Sequence, residues 1–417
     1  MKLHDIFTPN AEPTITYVQR SELKLEESLN QYYLTPNLVV SISGPSKSGK
    51  TVLINKIIPS ESLIPVVGAG ISSPENLWER VLQWMDVPAS VTTSDSSITG
   101  GAASATGGGE IGIPLVAKGM AQAKVSVSKS KQAGKSTIKY EDPLLKVIAE
   151  IAGSDFAIFI DDFHYIDEQL REEIGRQIKV AAEAGVKFIT ASVPHRTDDV
   201  VRSNSELRGR VAAVDLQYWS VAELARIPRL GLAAFNAEIA PSIETKLATE
   251  AFGSPQLMQS ICMNLCMVLD LYAPLETQER MRVTKVQITE TLRRTSSFAD
   301  FSRMLSSLLS GPRVRGTERK IHSYTDGSEG DVYRAVLLAV SQDPASLSFS
   351  YEDIQKRIRE ICTGDVPTGS SITSALEQMN IIAENLQPNA SPISWDNDNL
   401  DIVDPYLLFF LRCSEKL

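Results

Sequence analysis

The chain has 417 residues, more than one hydrophobic core usually holds, so two or three domains are expected. Its 43% hydrophobic and 22% charged residues are ordinary for a soluble globular protein. A net charge of −10 argues against a mainly phosphate-driven, non-specific nucleic-acid binder, although a local basic patch is compatible with it. No apolar run approaches the roughly 20 residues needed to span a bilayer, and the start, MKLHDIFTPNAEPT, lacks a signal peptide's apolar core. The four cysteines, Cys262, Cys266, Cys362 and Cys413, form no C-x-x-C pair. Cys262 and Cys266 lie one helical turn apart among Leu257, Ile261 and Leu265, and read as core packing rather than a metal or redox site. A reducing cytoplasm is the compartment this implies.

In chain order, Leu38–Ser43 reads as a strand and Thr51–Ile58 as a helix, followed by strand Leu63–Val67 and helix Glu75–Met85. Between the first strand and helix stands SISGPSKSGKT, in which Gly44 and Gly49-Lys50-Thr51 fit G-x-x-x-x-G-K-[ST]. Glycines let backbone N–H groups turn inward around an anion, and the following helix points its positive end at the same place. The segment Gly44, Pro45, Ser46, Lys47, Ser48, Gly49, Lys50, Thr51 and Val52 is therefore the expected nucleotide cradle. Lys50 reaches the β/γ-phosphates in such a loop, and the Thr51 hydroxyl ligates Mg²⁺.

The composition breaks over Asp86 to Ser136, which is rich in Ser, Gly, Ala and Thr. Ile111 to Val127 partly alternates apolar with polar residues, so an insertion carrying a β-hairpin is expected; a disordered loop is the alternative. With no His, no Cys and three acidic residues, Asp86, Asp95 and Glu110, it reads as a contact surface and not a catalytic one. Regular α/β pattern resumes with helix Pro143–Ile151, the run FAIFIDDFHYID, helix Glu168–Ala184, strand Val186–Val193 and strand Val211–Leu216. From Ser220 the strand signals vanish: Val221–Ile227, Pro241–Ala251, Pro255–Leu271 and Lys285–Leu305 read as helices. RVRGTERK, Arg313 to Lys320, reads as a linker or an exposed face. Helices Asp331–Ser341, Tyr351–Ile361 and Ser371–Met379, then strand-like IIAENL and SWDNDNLDIVD, suggest a winged helix.

The apolar strand Phe156 to Asp162 ends in two carboxylates about a hundred residues after the phosphate loop. Asp161 is placed to hold Mg²⁺ through water, and Asp162 to orient or deprotonate the attacking water. At the end of the next strand Arg196, with His195 second, is the candidate γ-phosphate sensor; a surface arginine is the alternative. Arg208 and Arg210 are candidates for an arginine finger acting on a neighbouring subunit, or else caps of acidic surface. An ABC signature, a guanine-reading N-K-x-D and a kinase H-R-D/D-F-G set are all missing.

Taken together, GPSKSGKT, FIDDFH, ITASVPHR and FGSPQLM resemble the STAND class of AAA+-related P-loop ATPases, near the archaeal-ATPase and origin-recognition-like branches. The resemblance implies a P-loop NTPase parallel sheet core over 37–219, a helical lid over 220–310, a linker over 311–330 and a winged helix over 331–417. It implies ATP/ADP and Mg²⁺ as cofactors. It also places Pro255, in Gly253-Ser254-Pro255, on the adenine, and residues 1–36, with Val18 and Arg20 in ITYVQR, as a segment closing over the base. The chain shows no sensor repeat, so an effector or sensor is expected to be a separate protein or the insertion.

Two functions follow. The first is a slowly hydrolysing switch whose ATP form self-associates and recruits a partner, with prokaryotic defence or stress signalling as the setting. The second is a DNA-handling ATPase, initiator-like or a transposition regulator, that reads DNA with the winged helix. The expected recognition helix SSITSALEQMN carries Glu377 and no Lys or Arg, and the wing carries Glu384, Asp396, Asp398, Asp401 and Asp404. That charge favours protein contact over groove reading.

Overall fold

The computed structural model describes residues 2–88, 90–94, 136–140, 142–193, 207, 209–312, 319–388 and 390–417. Its centre is a sheet of β1 (Val39–Ser43), β2 (Leu63–Val67), β5 (Ala157–Asp161), β6 (Lys187–Ser192) and β7 (Val211–Asp215), in the order β2-β5-β6-β1-β7. Every neighbouring pair is parallel, so all five strands deliver their C-terminal ends to one edge. That edge is where open α/β sheets bind ligands. The two remaining strands of this region, β3 (Ser90–Ser94) and β4 (Ser136–Tyr140), pair antiparallel at the base of the insertion. The hairpin expected over Ile111 to Val127 lies outside the described residues.

The strands are short, the three central ones, β1, β5 and β6, are buried on both faces, and alternate residues feed different cores. Ile158, Ile160 and Val39 face helices Pro74–Trp84, Pro143–Ile151 and Glu168–Glu183. Ala157, Phe159, Val40 and Ile42 face helices Leu25–Leu34 and Lys50–Ile57. The result is a three-layer P-loop NTPase fold, as expected.

Beyond Ser220 the described chain is mainly helical. The expected helix Val221–Ile227 is two, Val221–Leu224 and Arg226–Ala233. The expected Lys285–Leu305 also breaks, into Lys285–Ser296 and Ser302–Ser310. At that break Ser296 and Ser297 hydroxyls bond back to Arg293 and Arg294 carbonyls, and Asp300 accepts from the Ser302 N–H. Serine and aspartate compete with the helix ladder in this way.

The C-terminal part is a winged helix: helix Val332–Ser341, strand Ser348–Ser350, helices Tyr351–Ile361 and Gly369–Leu386, hairpin Ile393–Asp396/Asn399–Ile402, and helix Pro405–Cys413. The three strands form one sheet, with Asn399–Ile402 in the middle. IIAENL is not a strand. Ile372, Leu376, Met379 and Ala383 make one continuous buried stripe at helical spacing, which carries the helix to Leu386 despite the β-branched pair Ile381-Ile382. Glu384 therefore belongs to that helix rather than to the wing. A single apolar core unites Leu3, Phe7 and Val18, the helices after Ser220 and the winged helix; it shares no buried residue with the two sheet cores.

Candidate functional site

Gly44 to Gly49 connects β1 to helix Lys50–Ile57 in a loop that only certain residues can make. A Cβ on Gly44 would stand 2.7 Å from the Leu216 Cβ and 2.9 Å from its carbonyl oxygen. Gly49 has φ +98°, the left-handed region that glycine enters at no steric cost. Lys47 is also left-handed, at φ +61°, an uncommon setting for a lysine.

Lys50 is buried, and its Nζ donates to the carbonyls of Gly44 (2.8 Å) and Pro45 (3.0 Å). Burial pushes its pKa down, while the carboxylates of Asp161 and Asp162 oppose the shift. The Thr51 hydroxyl donates to Asp161 Oδ2 at 3.2 Å, so the two expected Mg²⁺ ligands are brought together across 110 residues of sequence. Asp161 Oδ1 accepts the Asp162 N–H at 2.9 Å, which fixes the carboxylate. One carboxylate and one hydroxyl, both hard oxygen donors, suit Mg²⁺, which takes its remaining ligands from water and phosphate. Among the described residues no group of three or more His, Cys, Asp or Glu could hold a metal by itself.

Asp162 turns away from its neighbour by taking φ +52°. Burial raises its pKa, Asp161 adds to the rise, and Lys50 opposes it. The turn depends on Gly68, whose N–H donates to the Asp161 carbonyl at 2.8 Å. A Cβ on Gly68 would collide with the Asp162 carbonyl oxygen. Gly68 was not singled out in the sequence; a glycine directly after strand β2 was the available signal.

A cavity of about 600 Å³ opens from this loop, lined by Lys50, Thr51, Asp161 and Asp162 on one side and by the 8–18 segment and helix Pro255–Val268 on the other. Val18, Arg20, Val52 and Pro255 all line it. Gly253-Ser254-Pro255 starts the helix on local rules: Gly253 is left-handed at φ +73°, Ser254 caps the Leu257 N–H, and Pro255 takes the first helical position. Arg20 lines the cavity but spends its guanidinium elsewhere, on Glu223 (2.7 Å) and on the carbonyls of Gln217 (2.9 Å) and Tyr218 (3.2 Å). It anchors the connection between sheet and lid.

Three residues outside the motifs complete the site. Gln259 is buried; its amide donates to Thr16 Oγ1 (2.7 Å) and accepts the Thr8 N–H (3.3 Å), tying the N-terminal segment to the lid. Asn55 bonds Glu12, tying the same segment to the helix after the phosphate loop. The Trp219 indole donates to the Ser48 carbonyl at 3.0 Å. None of these carries a motif, because each is defined by a partner distant in sequence.

On the loop's outer side Lys47 Nζ lies 3.2 Å from Asp404 Oδ2 and 4.1 Å from the Tyr406 ring centre. Asp404 caps the last helix through its other oxygen, accepting the Tyr406 N–H at 2.9 Å. Arg210 is not brought to the site of its own chain. It precedes β7, at the edge where the strands begin, and pairs with Glu183. Arg196, His195 and Arg208 lie outside the described residues.

No family model matches the chain, and no curated protein does. Among solved structures it is similar to a Walker-type ATPase of Pyrococcus abyssi, at 11% identity over 95% of this chain and 99% of the other, with a TM-score of 0.49. The ORC2 protein of Aeropyrum pernix matches at 10% identity over 97% and 96%, TM-score 0.49. Cdc6p of Pyrobaculum aerophilum matches at 11% identity over 98% and 96%, TM-score 0.44. These values describe a likeness of outline and say nothing of activity.

Proposed function

We propose that the chain is a STAND-type switch that binds ATP with Mg²⁺, hydrolyses it slowly, and uses its nucleotide state to control self-association and recruitment of a separate effector or sensor protein. Residues 37–219 bind the phosphates, 220–310 form the lid and 331–417 read the outcome, after the linker 311–330. Cytoplasmic defence or stress signalling in a prokaryote is the setting this reading suits. Gly44 to Val52 and Lys50 cradle the phosphates, Thr51 and Asp161 hold Mg²⁺, and Asp162 positions the attacking water. Pro255 and Val18 close on the base.

The observation that supports a switch is the clasp between Lys47 and the Asp404–Tyr406 pair. It joins the phosphate loop directly to the last helix of the winged helix. Phosphate charge arriving at the loop competes for Lys47 and repels Asp404, so the two states of the nucleotide bias the clasp differently. Particle mass by light scattering tests this reading. A larger mass with a non-hydrolysable ATP analogue and Mg²⁺ than with ADP is expected, and an identical mass in both would reject it.

The DNA-handling alternative uses the same nucleotide site but is poorly served by the winged helix. Gly369 to Asp404 contains no Lys or Arg, and Ser374, Glu377, Glu384, Asp396 and Asp398 are exposed. A groove-reading surface is normally basic. Retention of a mixed-sequence duplex by the unmodified chain at low salt, strengthened by Glu377→Lys and falling as salt rises, is the result that would restore the alternative.

A further inference from the structure

We propose that a second small-molecule site lies beside the phosphate loop and takes a nucleoside monophosphate. A cavity of about 580 Å³ opens on the far side of Lys47 from the nucleotide cavity and shares Pro9, Asn10, Lys47 and Gln256 with it. This is within the ~300–1,000 Å³ of ordinary ligand sites. The N-terminal segment, the phosphate loop, helix Pro255–Val268, the 298–301 turn with the start of helix Ser302–Ser310, and the winged helix all contribute to its wall, so an occupant touches all of them at once.

Three features of the wall define the ligand. Asn264 is fully buried; its amide nitrogen donates to the Ser260 carbonyl at 3.0 Å, while its Oδ1 has no partner. An acceptor left unpaired in this way costs about 1–3 kcal/mol, so a ligand N–H is favoured there. Phe298 is 72% exposed at the rim, beside Met263 and Met304, and offers a plate for a flat ring. Arg303, exposed on the same wall, has no ion-pair partner among the described residues, and Lys47 supplies a second cation. Two acids are near these cations: Asp300, already engaged by the Ser302 N–H (3.0 Å) and facing Lys416 at 3.9 Å, and Asp404, 3.2 Å from Lys47, which a bound anion would displace. A base with N–H groups, carried on a phosphate, meets all three requirements.

The consequence for regulation rests on the switch reading: an anion in this cavity competes with Asp404 for Lys47, so the second ligand loosens the clasp. The binding claim stands apart from it. Equilibrium dialysis of labelled AMP, GMP, CMP and UMP against the Lys50→Ala chain, whose phosphate loop is disabled, decides it. One equivalent of at least one of the four is expected, at an affinity no weaker than about 1 mM. Arg303→Ala, an exposed change that leaves folding alone, should weaken that binding at least 10-fold, as should Asn264→Leu. Absence of binding by all four, or binding that Arg303→Ala leaves unchanged, overturns the proposal. Loss of the switch reading shows separately, as an unchanged particle mass of the unmodified chain with ATP analogue and ADP.

Discussion

Around the sheet, two apolar cores lie on opposite faces and hold the strand ends that carry Gly44, Asp161 and Asp162; in the other half one core runs without a break from Leu3 to Leu411. What joins the halves is polar: Trp219 on Ser48, Arg20 on Glu223, Asn55 on Glu12, and Lys47 on Asp404. The difference sets which parts can move. Apolar cores are close-packed and resist deformation. A half-exposed ion pair is worth about 0–1 kcal/mol, a cation–π contact about 0.5–2, and a hydrogen bond about 0.5–1.5. Together the polar joints amount to a few kcal/mol, close to the ~5.5 kcal/mol that takes a two-state equilibrium from 1:99 to 99:1. A nucleotide can therefore shift how the halves sit without disturbing either core.

The strongest way to separate the halves is Lys50→Ala. Truncating one partner of a buried charge pair costs about 2–5 kcal/mol, so calorimetric ATP binding should be lost while thermal unfolding of the helical half stays put. Unchanged ATP affinity would show that the sheet half does not hold the site. Two glycines test the cores next, at about 1–3 kcal/mol each for overpacking. Gly68→Ala pushes a Cβ into the Asp162 carbonyl, and turnover should fall sharply with ATP affinity nearly kept. Gly231→Ala drives a Cβ into the buried Phe7 ring, moving the N-terminal segment; here nucleotide affinity should fall although no sheet residue is touched. An unaltered affinity would remove that segment from the site. The smallest effect belongs to Asp404→Asn, which keeps the helix cap but removes the charge facing Lys47. A loss of up to about 1 kcal/mol, roughly fivefold in the equilibrium, should appear as faster proteolysis of the winged helix and, because the clasp and the phosphates compete, as ATP binding up to about fivefold tighter.

The sheet half was the more legible half in the sequence. Four of the five strands of its parallel sheet, β1, β2, β5 and β7, are short runs that end at a glycine or a carboxylate, and the phosphate loop and the Asp-Asp pair are local patterns. The winged helix was legible as helices and a hairpin, but Ser348–Ser350 is too short to signal a strand, and Ile381-Ile382 misled by β-propensity where a helical stripe prevails. The joints were not legible at all. Gln259, Trp219 and Asp404 are ordinary residues in ordinary helices and loops, and their roles come from partners about 170 to 360 positions away. Arg20 was noticed for the right cavity, yet its guanidinium serves the connection between halves instead of facing a ligand.

The clasp is the centre of this account, and a distance across it is the direct test. Spin labels at Lys56→Cys, behind the phosphate loop, and Asp398→Cys, at the wing tip, in a chain whose four native cysteines are replaced, report whether the winged helix stays on the loop. A single short distance with ADP, and a longer or broadened one with a non-hydrolysable ATP analogue and Mg²⁺, is the predicted result. One unchanged distance under both conditions, with ATP analogue shown to be bound, would contradict it.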